Sequence, residues 1–167
     1  VSRGPAAAMI AIKQLGTNGG GYFGVNSAHP LENPAYLTNM LENISILLLP
    51  IAMIFALGFY LKRRKLAAMI LGVMAIGFLV LLLPTIAQEM KGNPAIAGTG
   101  VDQSLGSMEG KEVRLGTAAS AYWAISTTVT SNGSVNGMHD SFTPLSGMNE
   151  LLAMMVNSFY GGVGVGF

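Results

Sequence analysis

Two glycine-containing turns are the segments of this chain whose residues could do chemistry. The first reads GTNGGGYFG over residues 16–24, and the second reads TSNGS over residues 130–134. Glycine-rich backbone binds a phosphate through its N–H groups or a cation through its carbonyl oxygens, because glycine lets successive peptide groups point at one ligand. The elements on either side of each turn decide between these two chemistries.

A nucleotide-binding turn is the first alternative. Residues 19–24 match the pattern G-x-G-x-x-G, and Glu42 lies near the place of the acidic residue that binds a ribose. Such a site needs a strand before the glycines and a helix directly after them. Here a helical pattern precedes the glycines and the loop VNSAHPLENP follows them, and no G-K-[ST] follows any glycine run. The sequence therefore disfavours nucleotide binding.

A cation filter is the second alternative. The carboxyl end of a helix carries partial negative charge, and extended backbone beyond it can present carbonyl oxygens to a dehydrated cation. Neither GTNGGG nor TSNGS contains a charged side chain, which favours a monovalent cation over a divalent one. We expect the side chains of Thr17, Asn18, Ser131 and Asn132 to brace the turns. The predicted filter residues are Gly16, Thr17, Asn18, Gly19, Gly20, Gly21, Thr130, Ser131, Asn132, Gly133 and Ser134.

Other polar residues near the turns carry weaker signals. His29 and His139 do not make a zinc site without a carboxylate cluster, so capping or solvent exposure is expected for both. Glu32 and Asp140 either concentrate cations at a pore mouth or are simply solvated. Lys13, inside a helical pattern, either braces the turn, limits ion occupancy or extends to water. No nucleophile–base pair is present, so we predict no catalytic residue, no metal site and no cofactor.

The composition places these turns in a membrane. Of 167 residues, 51% are hydrophobic and 10% charged, against roughly 25% charged in soluble domains. Residues 44–61 and 66–87 are uncharged runs, and about 20 apolar residues suffice to cross a bilayer. Pro50 and Pro84 are tolerated in membrane spans. Membrane lipid is therefore an expected partner. Nucleic acid is not, because the net charge is +1 without a basic stripe.

The basic sequence KRRK, Lys62 to Lys65, separates the two apolar runs. Short loops rich in Lys and Arg lie on the cytoplasmic side of membranes. We therefore predict a cytoplasmic turn at residues 62–65 and an external position for both glycine turns. Residues 88–115 carry mixed charges and glycines, and we expect them to form a solvated external connection.

Both glycine turns belong to a repeated unit. The TNG at residues 17–19 and the SNG at residues 131–133 are 114 positions apart, and each asparagine precedes a Pro-Leu pair by twelve positions. A half-length helical segment precedes each turn and an apolar segment follows it. The half-length segments are residues 5–15 and 116–129, and the apolar segments are residues 44–61 and 151–167. Internal repeats of this kind are common in membrane transporters.

Four segments together resemble the KdpA family, the potassium-translocating subunits of bacterial Kdp potassium-transporting ATPases, over essentially the whole chain. They are GTNGGGYFGVNSAHPLENP, ENISILLLPIAMIFALGFYLKRRK, TSNGSVNGMHDSFTPLSGMNE and FYGGVGVG. The resemblance implies an all-α membrane protein with potassium-channel-like pore-loop repeats, each made of a helix, a half-length pore helix, a filter strand and a helix. Four such repeats surround one filter in the family.

The resemblance also assigns the parts of the chain. Residues 1–61 would hold the pore helix, filter strand and closing transmembrane helix of the second repeat. Residues 66–167 would hold the transmembrane helix, external loop, pore helix, filter strand and start of the broken last helix of the third. The glycines of that broken segment, Gly161, Gly162, Gly164 and Gly166, would face the ion path. Since the first and fourth repeats are missing, we expect residues 1–167 to be a piece that does not conduct potassium alone.

Finally, the resemblance implies a function. The chain would select external K⁺ in the bacterial inner membrane, as part of an ATP-driven uptake complex. Its partners would be a P-type ATPase catalytic subunit and small accessory subunits, so any enzymatic activity would belong to the complex. A self-sufficient potassium channel or cation symporter of the same superfamily is the alternative, and a binding-only or structural membrane protein is a third possibility.

Overall fold

The structure, a computed structural model, describes residues 3–159, and every regular element in that part of the chain is helical. The one strand-like contact within it is an isolated bridge between Lys111 and Gly137. The predicted all-α class is therefore confirmed. The α-helices are α1 (Pro5–Leu15), α2 (Tyr36–Tyr60), α3 (Arg64–Met90), α4 (Thr117–Val129) and α5 (Pro144–Val156), and short helices of the 3₁₀ type cover Pro94–Thr99 and His139–Ser141.

Helices α1 and α4 are short, with 11 and 13 residues. At 1.5 Å per residue, each is roughly half as long as a hydrocarbon core of about 30 Å is thick. Pro5 occupies the first turn of α1, where its missing N–H costs no hydrogen bond. Both helices end where the predicted glycine turns begin.

Helices α2 and α3 are long enough to cross a membrane, with 25 and 27 residues. Their most apolar windows have mean hydropathies of 2.1 and 2.9, yet only 33% and 22% of those windows are buried by the rest of the protein. The core helix of a soluble protein would hide such a surface. Together with the composition, this exposed apolar surface makes the chain a membrane protein. Pro50 and Pro84 lie inside these helices.

Helix α3 begins only two residues before its apolar run, at Arg64, whereas two other helices begin seven or eight residues early. Helix α2 begins at Tyr36 rather than at residue 44, because its first turns bury the polar side chains of Asn39, Glu42 and Asn43. Helix α5 begins at Pro144 rather than at residue 151, and it ends at Val156. The four candidate ion-path glycines, Gly161, Gly162, Gly164 and Gly166, lie outside the described residues.

Helix α3 is at the centre of the packing, since it contacts α2, α4 and α5, while α1 packs on α2. The main hydrophobic core lies between these helices. Its largest members are Leu47, Ile54, Met74, Phe78, Leu81, Leu82, Ile125, Val129 and Phe159. Helix α4 is therefore held against α3 by buried apolar side chains, and this packing fixes the position of the turn that follows α4.

The connection between α3 and α4 buries some of its charged residues, although its mixed charges predicted a solvated loop. Glu89 Oε2 and Lys111 Nζ lie 2.8 Å apart, and both side chains are fully buried. Glu89 Oε1 accepts hydrogen bonds from the N–H and the hydroxyl of Thr143, at 2.9 and 2.7 Å. The expectation of a solvated connection is wrong for these residues, because the loop is fastened to the start of α5.

Candidate functional site

The first glycine turn, residues 16–21, begins where α1 ends. Thr17 has a positive φ of 50°, and Gly19 has a φ of 76°. The N–H groups of Asn18 and Gly19 both donate to the carbonyl of Lys13, at 3.1 and 3.3 Å. The N–H groups of Gly16 and Thr17 also donate to α1 carbonyls, at 2.8 and 3.3 Å. These four N–H groups are therefore occupied, so the turn cannot offer them to a phosphate.

The second glycine turn, residues 130–134, has positive φ values at the counterparts of Thr17 and Gly19, 114 positions later, but not at Ser134, the counterpart of Gly20. Ser131 has a φ of 53° and Gly133 a φ of 84°. The N–H of Asn132 donates to the carbonyl of Thr127 at 2.9 Å, and the N–H of Gly133 donates to the hydroxyl of the same Thr127 at 2.9 Å. Thr127 stands in the sequence where Lys13 stands in the first repeat. The two turns thus leave their helices by the same path.

Both turns lie against each other. The backbone of Gly19 approaches Asn132 so closely that a Cβ atom on Gly19 would overlap the Asn132 carbonyl, and it would lie 2.9 Å from the nitrogen of Ser134. Beyond the turns, the N–H of Ser27 donates to the carbonyl of Val135 at 2.9 Å. Segments far apart in the sequence therefore form one contiguous surface, of which Gly16, Asn18 and Gly133 are solvent-exposed and Thr17, Thr130, Asn132 and Ser134 are buried.

Side chains brace these turns at several points. The Thr17 hydroxyl donates to the carbonyl of Gly16 at 2.8 Å. Asn132 Oδ1 accepts from the N–H of Ser134 at 2.9 Å, and the Ser131 hydroxyl donates to Asn157 Oδ1 at 3.0 Å. Polar side chains in the second turn thus hold its backbone in a conformation that L-residues rarely adopt, and the Thr17 hydroxyl contacts the backbone of the first.

Lys13 is paired inside the protein. Its ammonium group forms an ion pair with Glu32, whose side chain is fully buried, and donates to the Gly20 carbonyl at 2.9 Å and the Ser27 hydroxyl at 2.5 Å. The second carboxylate oxygen of Glu32 accepts from the N–H of Tyr22 at 2.8 Å. Lys13 therefore does not extend to water, and the expectation of a solvated Glu32 is wrong.

The sequence that carries both glycine turns matches a known protein family. The family model of the potassium-transporting ATPase A subunit, KdpA, matches residues 1–167. The chain belongs to this family.

Individual relatives agree with the KdpA match. A protein from Bacteroides thetaiotaomicron is 66% identical over 167 residues, and one from Flavobacterium psychrophilum is 64% identical over 166 residues. A more distant relative from Sorangium cellulosum is 52% identical over 173 residues. All three are named potassium-transporting ATPase potassium-binding subunit, and the alignments cover 99–100% of this chain. The chain spans only 29% of the length of the first two relatives and 30% of the third.

A buried amide network behind the turns was missed by the sequence reasoning. Gln14 Nε2 donates to Glu42 at 2.9 Å, while Gln14 Oε1 accepts from the Ser134 hydroxyl at 3.0 Å. Asn39 Oδ1 accepts from Asn33 at 3.0 Å and from Asn136 at 2.7 Å. These bonds connect α1, α2 and the second turn. The signal was available, because residues 39, 42 and 43 are polar at helical spacing in front of an apolar run.

The two histidines make separate polar contacts. His29 Nδ1 accepts from the N–H of Leu31 at 3.2 Å, a local capping contact, and His139 Nδ1 lies 3.0 Å from Glu150 Oε2. Asp140 is exposed. Within residues 3–159, no group of three or more His, Asp or Glu side chains is arranged to hold a metal ion.

Proposed function

We propose that this chain contributes two backbone segments of the potassium filter in the membrane subunit of an ATP-driven K⁺ uptake complex. The observation that supports the proposal is the repeated backbone geometry: two glycine turns, 114 positions apart, end two half-length helices and lie against each other. One turn would place its carbonyl oxygens on one side of an ion. Two adjacent turns place carbonyl oxygens on two sides of the same ion path.

The chemistry of the turns suits K⁺. Their N–H groups at residues 16–19 and 131–134 are engaged in internal hydrogen bonds, so carbonyl oxygens are the groups left for a ligand. Neither turn contains a carboxylate. In the selectivity filters of potassium channels, rings of backbone carbonyl oxygens replace the hydration shell of K⁺. The ion specificity is supported by the relatives, whose shared name describes potassium binding.

The repeat assignment is part of this proposal. Residues 1–61 form the pore helix, filter strand and closing transmembrane helix of one repeat, and residues 66–167 continue into the next. The basic segment Lys62–Lys65 faces the cytoplasm, and both glycine turns face outwards from the bacterial inner membrane. Gly161, Gly162, Gly164 and Gly166 remain predicted ion-path residues on the family resemblance alone.

The energy source lies outside this chain. We assign ATP hydrolysis to a P-type ATPase catalytic subunit, with small accessory subunits in the same complex, and no catalytic role to residues of this chain. A self-sufficient channel or symporter would share the filter and need no such partner. The relatives' common name, which describes a subunit of a potassium-transporting ATPase, supports the ATP-driven complex.

The test is Gly19→Asp in the complete complex, with K⁺-stimulated ATPase activity as the readout. A carboxylate at this point changes the charge beside the ion, and one unit charge at about 4 Å is worth roughly 4 kcal/mol at an effective dielectric constant of 20. We expect the K⁺ concentration for half-maximal activity to change by about tenfold or more.

Gly24→Asp controls for the added charge, and Gly19→Ala measures the strain that any side chain causes at Gly19. Gly24 is exposed, has no positive φ, and has open space where a Cβ atom would go. It receives the same charge outside the predicted filter and should leave the half-maximal K⁺ concentration within about twofold of the parent. An unchanged K⁺ dependence of an assembled, active Gly19→Asp complex would overturn the filter assignment.

A further inference from the structure

We propose that the carbonyls of Gly20 and Ser134 are anchors of the filter rather than ion ligands, and that Lys13 and Trp123 are the positioning residues that hold them. This inference rests on the proposed function. It divides the predicted filter residues into those that face the ion and those that set the shape of the turn.

The anchor in the first turn is an ammonium group. The Gly20 carbonyl oxygen accepts from Lys13 Nζ at 2.9 Å and from the Ser27 hydroxyl at 3.1 Å. A carbonyl oxygen has two lone pairs, so both are used inside the protein. The three N–H groups of Lys13 are matched in turn by three acceptors, namely Gly20, Ser27 and Glu32.

The anchor in the second turn is an indole. Ser134 follows Gly20 by 114 positions, and its carbonyl accepts from Trp123 Nε1 at 2.8 Å. Trp123 is fully buried in α4, and its N–H is the single donor of the side chain. Equivalent carbonyls in the two turns are thus held by different side chains, and each donor belongs to the half-length helix before its turn.

Holding both carbonyls towards the protein has a physical consequence for ion selectivity. A carbonyl that is fixed towards the protein cannot rotate towards an ion, and it fixes the peptide plane to which it belongs. The ion-facing carbonyls are then those of the other filter residues, namely 16–19, 21 and 130–133. Because the neighbouring planes cannot drift, their spacing stays matched to one ion size, and a loosened anchor should admit ions of other sizes.

The charges of the first anchor balance each other. Lys13 and Glu32 form a buried pair beside the turn, so the pair adds no net charge to the ion path. Removing only the carboxylate would leave an uncompensated ammonium group near the bound cation. Removing both groups would restore neutrality but leave Gly20 without its ammonium donor.

The first experiment is Trp123→Phe in the complete complex. Phenylalanine keeps an aromatic ring but has no N–H for Ser134. We expect the maximal ATPase rate to stay within about twofold, the half-maximal K⁺ concentration to rise about three- to tenfold, and stimulation by Rb⁺ or Na⁺ relative to K⁺ to increase. The matched control is Ile125→Val, which also removes buried volume from α4 but involves a side chain that cannot donate a hydrogen bond to a carbonyl.

The second experiment compares Glu32→Gln with the double variant Lys13→Gln/Glu32→Gln. The single variant should raise the half-maximal K⁺ concentration by about tenfold or more, through an unpaired buried charge. The double variant should recover part of that loss while keeping the relaxed ion discrimination. The double variant also tests the anchor proposal if the Trp123→Phe complex fails to assemble.

The outcomes separate the two proposals. If Gly19→Asp changes the K⁺ dependence while Trp123→Phe matches Ile125→Val and the Lys13 and Glu32 variants keep parental ion discrimination, the anchor inference is wrong and the filter stands. If Gly19→Asp has no effect either, the filter assignment itself fails. Relaxed discrimination with a retained maximal rate supports the anchors, because a loss of folding alone would lower the rate for every ion.

Discussion

Replacing Gly19 with alanine should weaken K⁺ binding far more than the same replacement at Gly20. Both residues have a positive φ, 76° and 80°, so an added side chain strains the backbone by about 1–2 kcal/mol at either position. Only at Gly19 does the new methyl group meet the other turn, since its Cβ would overlap the Asn132 carbonyl, whereas at Gly20 nothing lies within 4 Å.

The expected loss of K⁺ affinity follows from the steric overlap that is present at Gly19 and absent at Gly20. Forcing an extra methyl group into closely packed atoms costs typically about 1–3 kcal/mol. If the strain is relieved by moving the two turns apart, it appears as a loss of ion affinity of about 5- to 150-fold. Gly20→Ala carries only the backbone strain and should change K⁺ affinity by less than that.

The assay is the K⁺ dependence of ATPase activity in the complete complex, measured together with thermal unfolding of the detergent-solubilised protein. Gly133→Ala is a second control, since Gly133 has a φ of 84° and open space at its Cβ position. Equal effects of Gly19→Ala, Gly20→Ala and Gly133→Ala would refute the reasoning. The contact between the turns would then have no part in ion binding.

Two further predictions concern stability and orientation. Glu89→Gln leaves Lys111 buried without its counter-charge and should lower the unfolding free energy by about 3–5 kcal/mol, whereas Glu112→Gln, in a half-exposed pair, should cost under about 1 kcal/mol; thermal unfolding measures both, and equal shifts would contradict the assigned burial. A single cysteine at Lys62 should react with a membrane-impermeant thiol reagent only from the cytoplasmic side, and one at the exposed Val25 only from outside; labelling of both from one side would contradict the proposed orientation.

Much of the fold is local enough for the sequence to determine it. The bounds of α1 follow from Pro5 and from Gly16 directly after Leu15, and α4 ends before the polar turn residues Thr130, Ser131 and Asn132. Gly19 and Gly133 both have positive φ values, which glycine adopts without strain. Glycines 114 positions apart in matching sequences therefore indicate two equivalent turns. Length and hydropathy were likewise sufficient to find both long helices.

Tertiary structure alone decided which buried polar groups pair. An ammonium group inside a membrane protein needs a partner, because leaving it unpaired costs several kcal/mol, but this requirement does not say which carboxylate the partner is. Lys13 pairs with Glu32 and Lys111 with Glu89 only because the loops after α1 and α3 fold back onto their helices. In the same way, Trp123 is an ordinary apolar residue in the sequence, and it becomes the hydrogen-bond donor to Ser134 because α4 and its turn bring the two together. Local conformation is encoded in neighbouring residues, whereas the partner of a buried charge or donor depends on long-range packing.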